Sequence, residues 1–135
     1  MKITADTNLL VRMATQDDQA QARVAFDIVS SADEVMVTLP CIVEFVWVLE
    51  SVYSFTRDQV AVALHTLMRM GNVGAEALAI DAGMKVHAAG GDFADGVIAA
   101  AGVSMGADTF VSFDRKAVGR VKAIGMSAEL ASAKP

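Results

Sequence analysis

The stretch "KITADTNLLVRMA", residues 2 to 14, decides how the chain is to be read. "KITAD" is a short β-type run that ends in an acid, Asp6. "LLVRMA" continues as a helix, and Asn8 stands where an N-cap belongs. Strand, acid, helix is the opening of a βα unit.

Working outward, the same alternation recurs. "DDQAQARVAFDIVSS" (17 to 31) has helical periodicity, with Ala22, Val24, Ala25, Ile28 and Val29 as the apolar set. "EVMVTL" (34 to 39) is a second strand, and Pro40 follows at a helix N1 position. The next helix, roughly 41 to 53, is apolar nearly all round, which predicts burial on more than one side. "TRDQVAVALHTLMRM" (56 to 70) is amphipathic and stops at Gly71-Asn72. "GAEALAI" (74 to 80) suits a strand or a helix start. "DAGMKVHAAGG" (81 to 91) is a short helix ended by two glycines. "DFADGVIAAAG" (92 to 102) opens a helix over about 93 to 103. "DTFVSFD" (108 to 114) is a strand that again ends in an acid, and "RKAVGRVKAIG" is a short basic helix and turn. Strands alternating with helices predict an α/β fold with a mostly parallel sheet, in a single domain of 1–135.

Composition bounds the rest. At 54% hydrophobic the chain exceeds the usual share, so part of the surplus is expected at a subunit interface or under a partner. The longest stretch without a charge, 96 to 107, is shorter than the ~20 residues a spanning helix needs, so no membrane association is expected. The start has no secretory apolar region, and one cysteine, Cys41, excludes an internal disulfide and a cysteine-based zinc cluster. These features predict a cytoplasmic protein. A net charge of −5 argues against a surface that coats nucleic acid generally, but four acids in one metal pocket would account for most of it.

In parallel sheets, ligands bind off the carboxyl ends of the strands. Asp6 and Asp114 end strands. Glu44 lies one turn into the helix after the second strand, among Val43, Phe45, Val46 and Trp47, where a carboxylate is costly unless paired. Asp95 lies in the first turn of its helix, and Asp92 before it reads as the N-cap. Four acids from four segments can thus converge. Gathered carboxylates raise one another's pKa unless a cation is present, and an all-oxygen set suits Mg²⁺ or Mn²⁺. Asn8 and Ser112 are polar neighbours able to orient a ligand carboxylate, or to serve only as turn and cap residues. Each acid, taken singly, has a plain capping or dipole explanation.

In this order, "ADTNLLVRMATQDD" (5 to 18), "LPCIVEFVWVLESVYSFTRDQV" (39 to 60), "DFADGVIAAAG" (92 to 102) and "ADTFVSFDRKA" (107 to 117) resemble the PIN-domain family, and within it the VapC-type toxin ribonucleases of bacterial toxin–antitoxin pairs. The resemblance implies a three-layer α/β/α fold with parallel strand order 3-2-1-4-5. It implies Mg²⁺ or Mn²⁺ held principally by Asp6 and Asp95, with Glu44 and Asp114 completing the set. It also implies hydrolysis of RNA, often tRNA or ribosomal RNA, to 5′-phosphate and 3′-hydroxyl ends, inhibition by a small cognate VapB-type antitoxin, and a homodimer. Gly96 stands where the family usually has alanine, and Ser112 where it commonly has threonine; the glycine predicts a looser helix start.

Arg115, Lys116, Arg120 and Lys122 hold four of the eleven basic residues and follow Asp114, so they are candidates for RNA phosphates. Arg12 is a weaker one. Trp47, Val48, Tyr53 and the apolar face of 60 to 70 suit either core or a partner groove. His65 and His87 read as surface or partly packed. Cys41, at a helix start where a thiol pKa can be lowered, reads as packing. A haloacid-dehalogenase-like phosphatase would need a second acid where Asn8 stands. A receiver-like domain would need an acid pair and a strand lysine that are absent. A catalytically silent PIN-fold scaffold that binds RNA or protein is the remaining rival.

Overall fold

Parallel strands separated by helices are what a computed structural model of the chain contains; it describes residues 1–132. These fall into two compact units, the first Met1–Glu76 and the second beginning at Ala77.

The first unit runs β1 (Lys2–Thr4), α1 (Thr7–Thr15), α2 (Gln19–Ser31), β2 (Glu34–Val37), α3 (Leu39–Ser51), α4 (Arg57–Met68) and β3 (Val73–Ala75). Its sheet has the order β1-β2-β3, all parallel, with Ile3 opposite Val35 and Met36 opposite Gly74. The central strand is fixed by Val35 and Val37, both buried. Each helix begins on a side chain that accepts a backbone N–H: Asp6 for α1, Asp18 for α2, Thr38 for α3, and Thr56 for α4, where Gln59 completes a capping box. Asn8 is therefore not the cap of α1. It sits one residue inside the helix, and its N–H donates to Asp6.

Two expectations about helix faces need correction. In α2, Ala22, Ala25 and Val29 are buried, but Val24 and Ile28 are exposed, because a surface helix buries one stripe. In α3 the buried set is Cys41, Ile42, Phe45, Val46 and Leu49, again one stripe; Glu44 is exposed and Trp47 is 62% exposed. Glu44 therefore carries no burial cost of the kind its apolar neighbours in sequence suggested. Pro40 falls at the second helical position, where its missing N–H costs nothing.

The second unit runs α5 (Ala77–Ala88), α6 (Phe93–Ser104), β4 (Phe110–Ser112), α7 (Arg115–Ala123) and β5 (Ala128–Leu130). β4 and β5 pair in parallel, Val111 opposite Glu129. Ala99, Val118, Val121 and Ala128 form a core with Phe110, Met126 and Leu130. Helices α5 and α6 meet backbone to backbone. A Cβ on Gly96 would stand 2.4 Å from the Ala82 carbonyl oxygen and 2.7 Å from the Gly83 Cα. A Cβ on Gly83 would stand 2.7 Å from Val97. Gly96 thus marks a close crossing rather than the looser helix start expected from its propensity. Among the described residues no helix is long and apolar enough to cross a membrane.

Gly96→Ala tests that crossing. Propensity alone would stabilise α6 by about 1 kcal/mol. Overpacking typically costs about 1–3 kcal/mol, and a Cβ 2.4 Å from a backbone oxygen falls at the upper end, so the net result is a loss of up to about 2 kcal/mol. A lower urea midpoint is expected; a higher one would mean the crossing relaxes freely.

Candidate metal centre

In the first unit β1 ends at Thr4, buried Ala5 follows, and Asp6 turns the chain into α1. Asp6 accepts the Asn8 N–H through Oδ2 at 3.3 Å. Among the described residues its other oxygen accepts nothing. Because β1 and β2 are parallel, the start of α3 lies off the same edge as the start of α1. Glu44, one turn into α3, then shares with Asp6 an open cavity of about 350 Å³, lined also by Thr4, Ala5, Thr7, Thr38, Pro40 and Cys41. Below them the buried Thr7 hydroxyl donates to the Cys41 sulfur at 3.8 Å. Burial pushes the Cys41 thiol pKa up. The Thr7 hydrogen bond opposes that shift, and the negative charges of Asp6 and Glu44 add to it. A helix-start thiol with a lowered pKa is therefore not what the fold makes.

In the second unit Asp92 caps α6, its Oδ1 accepting the Ala94 N–H at 3.0 Å, as expected. Asp95 is the acid of the first turn and is half-buried. Its pKa is raised, first by desolvation, then by the charges of Asp92 and Asp114, while Arg120 pulls the other way. Asp114 lies two residues beyond β4 and caps α7, accepting the Lys116 and Ala117 N–H groups at 2.9 and 3.2 Å through Oδ1. The Ser112 hydroxyl accepts the Asp114 N–H at 3.0 Å, so it shapes the turn that aims this carboxylate.

The predicted acids are thus brought together in two sets, Asp6 with Glu44 and Asp95 with Asp92 and Asp114. Among the described residues no group of three or more His, Cys, Asp or Glu is arranged to hold a metal ion. The donor chemistry nonetheless fits a hard divalent cation: carboxylate oxygens with free lone pairs, and one half-buried acid whose ionisation is disfavoured by its neighbours.

The basic candidates separate. Arg115, Lys116 and Lys122 are exposed, and Arg120 is half-buried. Arg12 is held by Asp17 and Tyr53, each 3.3 Å from Nη1, so it supports the α1 end rather than offering its charge outward. His65 is exposed; His87 is buried, contrary to expectation, because it falls on the inner face of α5 with Ile80 and Gly83. Tyr53 is half-buried, while Trp47 and Val62 are exposed. An apolar cavity of about 480 Å³ is lined by Leu10, Met13, Phe45, Phe55, Val62 and Leu67 among others. The Thr7–Cys41 contact was not legible in sequence; a threonine between an acid and an asparagine has no marker for a partner 34 residues away.

A family model described as PIN domain matches residues 3–123. No curated protein matches the chain at a significant level.

The raised Asp95 pKa carries a stability signature. Between the ordinary aspartate pKa of about 3.9 and the raised folded value, the folded chain binds more protons than the unfolded one. Stability therefore falls as pH rises through that window, and ionised Asp95 destabilises the metal-free protein at neutral pH. Asp95→Asn should raise the melting temperature at pH 7 in EDTA, and the difference should shrink toward pH 4. An equal or lower melting temperature at pH 7 would show that the carboxylate is compensated without a cation.

Proposed function

The chain belongs to the PIN-domain family, a nuclease-type fold whose members are generally metal-dependent, and on that footing we propose that it is a divalent-metal-dependent endoribonuclease. We place it among VapC-type toxins, cutting tRNA or ribosomal RNA and restrained by a VapB-type antitoxin. The observation that carries the proposal is the state of Asp95. It is a half-buried carboxylate beside two others, at the start of a helix, with its ionised form disfavoured. Such an arrangement is unfavourable on its own and becomes favourable with a cation.

Asp6 and Asp95 would be the principal ligands of Mg²⁺ or Mn²⁺, with Glu44 and Asp114 completing the set. A bound divalent ion would supply an activated water and neutralise charge on the phosphoryl oxygens. The chain's own contribution is orientation. Asp6 and Asp114 are fixed by the backbone N–H groups they cap, so one oxygen of each is held outward. Ser112 fixes the turn before Asp114, and Asn8 reinforces Asp6 through its N–H. The N-termini of α6 and α7 add partial positive charge where a phosphate would lie. Arg115, Lys116, Arg120 and Lys122 would bind the RNA backbone. The exposed Trp47 and the apolar cavity beside α4 support a homodimer seam or the antitoxin as occupants.

Purified chain incubated with bacterial RNA should give discrete products with Mg²⁺ or Mn²⁺ and none with EDTA. Asp6→Asn and Asp95→Asn should each lower the rate by at least about a hundredfold. Asp92→Asn retains a capping oxygen and should chiefly shift stability, by less than about 1 kcal/mol. A folded protein that cuts nothing with any metal would favour the scaffold reading.

A further inference from the structure

We infer that Arg120 grips an RNA phosphate beside Asp95, and that the Gly90–Gly91 turn is the seat that holds its side chain there. This deepens the ribonuclease reading and rests on it. Arg120 differs from its three basic neighbours in being half-buried. Its stem lies across the turn between α5 and α6. A Cβ on Gly91 would stand 2.4 Å from the Arg120 Cδ, and one on Gly90 would stand 3.7 Å from a terminal guanidinium nitrogen. Gly91 is buried and Gly90 has φ +90°, a conformation that suits glycine. The two glycines therefore leave the space the stem occupies and bring the guanidinium over the chain that leads into Asp92.

Among the described residues this guanidinium makes no ion pair or hydrogen bond, although its charge is felt at Asp95. A guanidinium has five donors in a planar fork that matches two phosphate oxygens. Pinning the stem in advance removes much of the entropy cost of using it. A site built from carboxylates repels RNA phosphates; a cation that is near them yet unpaired offsets that repulsion and remains available to the incoming anion. Arg115, Lys116 and Lys122, exposed to solvent, must be ordered when they meet the RNA backbone, so each contributes less than the pinned Arg120.

The test compares Arg120→Gln, Arg120→Lys and Gly91→Ala, with Arg23→Gln as an exposed single-charge control. Affinity for a short fluorescent single-stranded oligoribonucleotide is read by anisotropy with Mg²⁺ in an Asp6→Asn background, where cutting is blocked. Arg120→Gln should weaken binding about tenfold, as loss of a charged hydrogen-bond pair does. Arg120→Lys should recover part of it, and Arg23→Gln should lose less than about threefold. Gly91→Ala, whose Cβ would meet Val86 at 2.6 Å as well as the Arg120 stem, should follow Arg120→Gln in binding while its circular dichroism shows the fold retained. With Asp6 intact, Arg120→Gln should bind Mn²⁺ by calorimetry at least as tightly as the unmutated chain at pH 7, since a cation near Asp95 is removed, and should stay folded by circular dichroism. Binding by Arg120→Gln equal to that of the control overturns the proposal, as does a parallel loss of Mn²⁺ affinity or the absence of RNA binding in the parent. If the unmutated chain cuts no RNA while only the Arg120 and Gly91 variants lose binding, the nuclease reading falls and the phosphate contact stands.

Discussion

The need of each helix to satisfy its first backbone N–H groups is the constraint on which the candidate site depends. Parallel strands deliver the chain to the sheet edge, and the residue that turns it into the next helix must offer an acceptor. At two strand ends the acceptor is a carboxylate, Asp6 before α1 and Asp114 before α7, and carboxylates also cap α2 (Asp18) and α6 (Asp92), which follow helices. One oxygen is spent on the backbone and the other is left. Capping and metal binding are thus not competing explanations of these acids, because the first supplies the rigidity that the second requires.

Charge balance sets the site's character. Asp95 is the only one of the four principal acids to lie within a helix in the second unit, and it is the one whose ionisation its surroundings disfavour. The close crossing of α5 and α6 at Gly83 and Gly96 fixes where that helix start lies. Removing the small residues would shift the acid and the crossing together. In the first unit the corresponding support is softer: a buried hydroxyl–thiol contact beneath an exposed pair of acids.

The sheet strands β1, β2 and β4, the helices containing Glu44 and Asp95, and those that Asp6 and Asp114 cap, were legible because hydrophobic period and strand-end acids are local signals. β5 was not: three residues, Ala128–Leu130, carry no periodicity and are a strand only because β4 lies beside them. The faces of α2 and α3 misled for a related reason. Val24, Ile28 and Trp47 are apolar, and no sequence pattern says which apolar residues a helix will leave outside. Asn8 was misread as a cap because Asp6, already singled out for chemistry, also fills that role. Gly96 was read by propensity, whereas its meaning lies in Ala82, fourteen positions earlier. The pinning of Arg120 likewise depends on a turn about thirty residues away.

The double duty of the capping acids shapes how this chain can change over generations. An aspartate replaced by asparagine keeps an oxygen for the helix and loses only its charge. At Asp95 the same replacement removes a repulsion that the empty protein otherwise bears. On the proposed reading, a single-nucleotide change of that kind at Asp95 removes a metal ligand and a charge repulsion together. At that position selection on folding favours the neutral residue, so it is selection on function that would keep the Asp95 carboxylate in place.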